Sequence, residues 1–145
     1  MIETVSKKSI ASASAAALIA AGEAAAKDIG IPMVIAIVDE SGVLKTMSRM
    51  DGAALLSVEI AQDKAYTAAA FGIATHEWFE FVKNDPPLLH GIVKTARLVI
   101  FGGGYPIKVD GQLVGGIGVS GGHYEQDMKV ATAALAALGL SGGPQ

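Results

Sequence analysis

The chain has 145 residues, the length of one domain, of which 51% are hydrophobic and 17% charged, and its net charge is −3. It has no basic run, which argues against nucleic-acid binding, and no cysteine, which excludes disulfides, thiolate metal sites and a cysteine nucleophile. Because a chain without cysteine fits a reducing compartment, we expect a cytoplasmic protein.

The first half of the chain predicts a helix, a β-hairpin and two further helices. Residues 6–28 are rich in alanine, which favours a helix, and Gly30 ends it. The apolar run 33–38 predicts a buried strand, and the turn cluster 39–42 returns the chain into a second strand at 43–47.

A long helix is predicted over residues 53–71, with apolar residues on two sides, so we expect it to lie between two layers. Thr75 is predicted to cap a short helix that ends at Phe81.

The second half predicts three strands and a last helix. Residues 97–101 read as a strand that ends in three glycines, and 107–109 and 112–119 form a hairpin through the Asp110-Gly111 turn signal. A final helix is predicted over 124–138.

The resulting order is α-β-β-α-α-β-β-β-α, and hairpin connections predict antiparallel pairing, so the fold class is α+β. We expect one domain over residues 1–140 and a flexible tail at 141–145.

No run of about 20 strongly apolar residues is present, so no membrane span or membrane partner is expected. Since few charges cover the surface, a homo-oligomer is expected; the alternative is that an alanine-rich core inflates the hydrophobic fraction.

Residues 116–121 match the G-x-G-x-x-G pattern of dinucleotide-binding sites. The match lies near the end of the sequence, with no following strand and no acidic residue about 20 positions later. We therefore expect neither NAD nor FAD.

Two glycine segments are the candidate ligand site. Ser120, Gly121 and Gly122 lead into the last helix, whose first N–H groups favour an anion. Gly102, Gly103 and Gly104 form a second flexible break, and the two segments would make one floor if their strands were neighbours. A small anionic ligand is one interpretation; tight packing of a helix on the sheet is the other.

Lys64 interrupts an apolar stripe, and it either reaches solvent or neutralises an acid at the glycine floor. His123 either caps the last helix or is a neutral imidazole that ligates iron or exchanges a proton. His76, His90 and His123 lack metal-ligand spacing, so no structural metal site is expected.

Five segments in chain order carry a family resemblance. They are VIAIVDESG at 34–42, RMDGA at 49–53, DKAYTAAAF at 63–71, GGGYPI at 102–107 and VGGIGVSGG at 114–122, the last followed by Gln126 and Asp127. Together they resemble the GlcG/HbpS family, which also supplies the C-terminal domain of PduO-type corrinoid adenosyltransferases.

The resemblance implies a profilin-like, five-stranded antiparallel sheet flanked by helices, oligomers that are often octamers, and haem binding or haem degradation in some members. It marks the glycine floor, Lys64, Ser120 and Asp127 as site candidates. Some members carry a histidine on the first helix, which this chain lacks, so no iron ligand is carried over.

Three functions stay open at this point. The first is a haem- or tetrapyrrole-binding accessory protein linked to corrinoid or diol-dehydratase metabolism. The second is an enzyme that acts on a small carboxylate or polyol-pathway metabolite, with His123 and Asp127 as acid and base. The third is a structural accessory protein without a ligand.

Overall fold

The computed structural model describes residues 1–142, which form helices on both faces of one antiparallel sheet. The elements are α1 (Ser12–Ile29), β1 (Val34–Asp39), β2 (Leu44–Arg49), α2 (Leu56–Phe71), α3 (Thr75–Val82), α4 (Pro86–Gly91), a 3₁₀ turn (Ile92–Lys94), β3 (Gly104–Val109), β4 (Gln112–Ser120) and α5 (Tyr124–Ala137). The α+β class and the antiparallel pairing are thereby confirmed.

The sheet has four strands within the described residues, in the order β2-β1-β4-β3, so the prediction of five strands is wrong. Residues 97–101 are the segment that fails to form a strand. Arg97 adopts a left-handed backbone conformation with φ of 66°, and the Val99 N–H donates to the Thr67 hydroxyl at 3.0 Å instead of to a neighbouring strand. A side chain on α2 has taken the place of a strand partner.

Both predicted hairpins are confirmed. β1 pairs with β2 and β3 pairs with β4, each antiparallel. Asp110 and Gly111, which join β3 to β4, both have positive φ, at 51° and 75°, as a type I′ turn requires.

Alternate residues of β1 enter two separate cores, as the period of two in a strand demands. Ile35 and Ile37 pack in the larger core, between the sheet and the helices α1 and α5. Val34, Ala36 and Val38 pack on the opposite face, in a second core formed with alanines of α2. The prediction that α2 lies between two layers is wrong, because its second apolar stripe is exposed at Leu56 and Phe71.

Several helix boundaries differ from prediction. α1 begins at Ser12 instead of residue 6. Ala11 before it is extended, and the Ile10 N–H donates to the carbonyl of Val114 on β4. α4 and the 3₁₀ turn were not predicted; Asp85 caps α4 by accepting from the Leu88 N–H. Of the predicted tail, residues 143–145 lie outside the described residues. Within residues 1–142, no helix is both long enough and apolar enough to cross a membrane.

Candidate functional site

The two glycine segments lie side by side in the fold. Gly104, at the start of β3, pairs with Gly118 of β4, and the Val119 N–H donates to the Gly103 carbonyl at 2.9 Å. The segment 120–122 follows directly and leads into α5. From the sequence, we expected these segments to meet if their strands were neighbours. β3 and β4 are neighbours, and the segments do meet.

A buried ion pair occupies the junction of these segments. Lys64 reaches from α2 and places its Nζ 2.8 Å from Asp127 Oδ2 on α5 and 2.9 Å from the Val119 carbonyl. The Lys64 side chain is fully buried and Asp127 is 2% exposed. Lys64 thus neutralises an acid at the glycine floor, and that acid is a side chain of the protein itself.

Burial acts on both charges of this pair. Burial lowers the pKa of Lys64 below its usual 10.5, while the charge and hydrogen bond of Asp127 oppose the change. Burial likewise raises the pKa of Asp127 above its usual 3.8, and Lys64 and the Gly122 N–H oppose that change. Each charged side chain therefore depends on its partner to stay ionised.

The first turn of α5 is capped by the protein itself. The Gly122 N–H donates to Asp127 Oδ1 at 3.0 Å, and the His123 N–H donates to Gln126 Oε1 at 2.9 Å. His123 Nδ1 accepts from the Glu125 N–H at 3.3 Å, so the histidine has the helix-capping role. The N–H groups predicted to attract an anion already have carboxylate, amide and imidazole acceptors.

The glycines allow backbone segments to approach closely. A β-carbon on Gly103, whose φ is 122°, would lie 2.7 Å from Lys64 Nζ, and one on Gly102 would overlap the sulfur of Met128. A β-carbon on Gly104 would meet the Lys64 carbonyl and the Thr75 side chain. The space beside these glycines is therefore filled by Lys64, Asp127, Thr75 and Met128.

The predicted site residues divide by exposure. Gly102, Gly103, Gly104, Ser120, Lys64 and Asp127 are buried, Gly121 is half-buried, and Gly122 and His123 are exposed. Ligand binding by these residues, and acid or base catalysis by His123 and Asp127, stay predictions.

Thr75 and Phe101 belong to this site but were not predicted for it. Thr75 opens α3, and its hydroxyl accepts from the Gly104 N–H at 2.9 Å, so it ties α3 to the glycine segment and does not cap a helix. The Phe101 ring covers Lys64, with its centroid 5.1 Å from Nζ. Neither contact has a sequence signal, because both join segments that are far apart in the chain.

A separate apolar groove of about 470 Å³ opens where the start of α1 meets the sheet and the end of α5. We call it the α1 groove; its apolar lining includes Ile10, Leu18, Ile107, Val114, Leu138 and Leu140. Lys8, Ser9 and Ser14 are its polar lining residues. Across residues 1–142, no group of three His, Asp or Glu side chains is placed to hold a metal ion.

Comparison with known proteins gives relatives that cover most of the chain. The corrinoid adenosyltransferase PduO of Salmonella typhimurium is 42% identical over 117 residues, 79% of this chain and 34% of that protein. An uncharacterised 15.0 kDa protein of Citrobacter freundii, from the dhaT-dhaS intergenic region, is 43% identical over 78% of this chain and 80% of its own length. The chain spans about a third of PduO.

The same relationship is visible in three dimensions. The crystal structure of a PduOC–haem complex superimposes with a TM-score of 0.85 at 37% identity, covering 94% of this chain and 99% of that one. A family model described as "Haem degrading protein HbpS-like" matches residues 10–136. These matches confirm the resemblance that the five motifs indicated, and the chain belongs to the HbpS-like family.

Proposed function

We propose that this protein is a small-ligand-binding accessory protein whose ligand is haem or a related tetrapyrrole. The observation that carries the proposal is the likeness to the PduOC–haem complex over nearly the whole chain. The similarity to PduO supports a link to corrinoid metabolism. The surface that has the right chemistry for a tetrapyrrole is the α1 groove.

The α1 groove suits the ring and the carboxylates of a tetrapyrrole. A tetrapyrrole is a broad apolar plate with acidic side chains, and sites for such ligands are mostly apolar with a few polar groups. The groove supplies apolar walls from Ile10, Val114 and Leu138, and Lys8 adds a cation for a propionate. We propose that the plate edge enters here and the acidic groups face Lys8.

The α1 groove does not fit iron ligation. Its lining contains no histidine, methionine, tyrosine or cysteine, and α1 carries none of them. His123 uses its Nδ1 to accept from the Glu125 N–H in the helix cap, and it does not line the α1 groove. We therefore propose that the groove holds the macrocycle by its ring and carboxylates, without an iron bond from the groove.

In this proposal the glycine floor stabilises the fold and does not line the ligand groove. Lys64, Asp127 and the glycines 102–104 fix α2, α5 and β3 relative to each other through buried contacts. Their replacement would disturb the whole domain, whereas replacement of a partly buried residue at the groove wall would cost less stability and act mainly on binding.

The test is a titration with hemin and, separately, with metal-free protoporphyrin IX, followed by absorbance and by quenching of Trp78 fluorescence. Similar affinities for the two are expected, because the iron adds no bond. Leu140→Asp should weaken both about ten-fold by placing a charge in the groove, while Val93→Asp, at a half-exposed position outside the groove, should not.

Two results would overturn this proposal. One is that neither compound binds saturably. The other is that hemin binds far more tightly than the metal-free ring and that His90→Ala or His123→Ala removes the difference, which would assign the site to a histidine.

We also propose that the protein forms a homo-oligomer, with the octamer implied by the family resemblance as the expected size. Its support is a set of exposed large apolar side chains, including Leu55, Leu56, Phe71 and Phe81, each more than half exposed. Light scattering coupled to size-exclusion chromatography measures the mass, and a monomeric mass at all concentrations would contradict the proposal.

A further inference from the structure

A second groove, of about 700 Å³, lies on the opposite side of the molecule, between the β1–β2 turn and the outer side of α2. We call it the Arg97 groove, and its polar lining is Ser41, Glu59, Gln62, Asp63, Tyr66 and Arg97. None of these residues lines the α1 groove, so the two are separate surfaces.

The Arg97 side chain is held in one place by several independent contacts. Its guanidinium carbon lies 4.0 Å from the centroid of the Tyr66 ring, and its Nε donates to Asp63 Oδ1 at 3.0 Å. The backbone has the left-handed φ of 66°, and its carbonyl accepts from the Thr67 hydroxyl at 2.8 Å. Strained residues held by their surroundings in this way concentrate at functional sites.

The Tyr66 ring also packs against Gly42. A β-carbon on Gly42 would lie 2.8 Å from the ring, so the β1–β2 turn accepts the tyrosine only because this residue has no side chain. Gly42 also has a φ of 80°, which glycine adopts without strain. Turn, ring and guanidinium are therefore built against each other.

This arrangement leaves hydrogen-bonding groups unused on both sides of the groove. Among the described residues, the two terminal nitrogens of Arg97 donate to no protein oxygen, and together they match the two oxygens of a carboxylate. The Gln62 Nε2 donates to the Val58 carbonyl. Its Oε1 remains as an acceptor in the groove, which the exposed carboxylate of Glu59 also lines. The groove therefore has free donors at Arg97 and free acceptors at Gln62 and Glu59.

We propose that the Arg97 groove binds a small monocarboxylate that also carries hydroxyl or ammonium groups. The carboxylate pairs with the terminal nitrogens of Arg97, and the hydroxyl or ammonium groups donate to Glu59 and Gln62. The charged side chains of the groove are two acids and one base, so a polyanion such as a nucleoside triphosphate is repelled.

The probes are serine and glycerate, which carry both kinds of group. Acetate, which has only the carboxylate, and serinol, which has only the donors, are the matched controls. In ¹H–¹⁵N correlation spectra, serine and glycerate are expected to shift the amides of Gly42 and Arg97 saturably. Acetate and serinol should bind at least about ten-fold more weakly, because each lacks one set of charge-assisted hydrogen bonds.

Arg97→Lys keeps the charge but removes the planar fork, and we expect at least about ten-fold weaker binding of serine and glycerate. Arg49→Lys is the matched control, because the Arg49 guanidinium is already bonded to the Ala53 carbonyl outside the groove. Glu59→Gln, at an exposed position, should weaken the binding of serine more than that of glycerate, because only serine brings an ammonium.

The proposal is overturned if neither serine nor glycerate causes saturable shifts. It is also overturned if Arg97→Lys and Glu59→Gln both bind like the unmodified protein. Because hemin is tested at the other groove, the outcome of that titration does not bear on this one.

Discussion

The two faces of the sheet are packed in opposite ways. On the α2 face, alanines 61, 65 and 69 rest on glycines of β4, and a β-carbon on Gly118 would overlap the Ala61 carbonyl. On the α1/α5 face, Ile35, Ile37 and Leu135 hold the helices off the sheet. Small side chains bring the layers into backbone contact, whereas branched ones leave grooves where the layers diverge.

This difference separates stability from binding. The α2 face is so thin that Lys64 crosses it to reach Asp127 and a strand carbonyl, and its glycines have no space left for a guest. The α1/α5 face keeps an apolar groove at its edge. Glycine-rich strands in this protein therefore indicate close packing of a helix on the sheet. Between the sheet and its helices, the apolar groove lies on the side with larger residues.

The largest effect is expected from breaking the buried pair. Lys64→Met should lower the free energy of unfolding by about 4 kcal/mol, because it leaves the Asp127 carboxylate buried without its cation. Urea denaturation measures the loss. The double variant Lys64→Met/Asp127→Leu should recover most of it, and equal instability of the single and double variants would contradict the argument.

The next effect tests the backbone contact on the α2 face. Gly118→Val should cost about 3 kcal/mol, because its side chain would force α2 away from β4. Gly91→Ala is the control, since a β-carbon there meets nothing within 4 Å, and it should leave stability unchanged or slightly higher. If the two variants have the same urea midpoint, the two faces do not differ as described.

A smaller effect is expected at the α1 groove. Leu138 is half-buried at its wall, so Leu138→Ala should cost roughly 1 kcal/mol. Leu135→Ala, one turn earlier and fully buried, should cost about 3 kcal/mol. Similar losses at both positions would mean that the groove is closed by packing.

The smallest effect is expected from pH, because the ion pair offsets much of the burial penalty. The pKa of Asp127 is raised in the folded state. Its contribution to stability is therefore fully present below pH 3.8 and is lost as the pH rises through the folded-state pKa. The pKa of Lys64 is lowered in the folded state. Its contribution to stability is therefore fully present above pH 10.5 and is lost as the pH falls through the folded-state pKa. Stability relative to the Lys64→Met/Asp127→Leu variant should therefore be lowest between those two ranges.

Local patterns in the sequence were sufficient for much of the fold. The Asp110-Gly111 turn signal predicts the β3–β4 hairpin. The apolar run 33–38 predicts the central strand β1. The alanine-rich segment that became α1 favours a helix through its own composition. Five ordered motifs also identified the family. These features depend on residues close together in the chain, so the sequence alone determined them.

Tertiary structure decided what those elements do together. Residues 97–101 have the composition of a strand, but Thr67 captures their backbone, and the same bonds fix Arg97 beside Tyr66. Lys64 and Asp127 are 63 residues apart, and only the thin α2 layer lets them meet. Whether a glycine admits a ligand or a neighbouring backbone depends on the distance between layers, which side chains from all the packed elements set together.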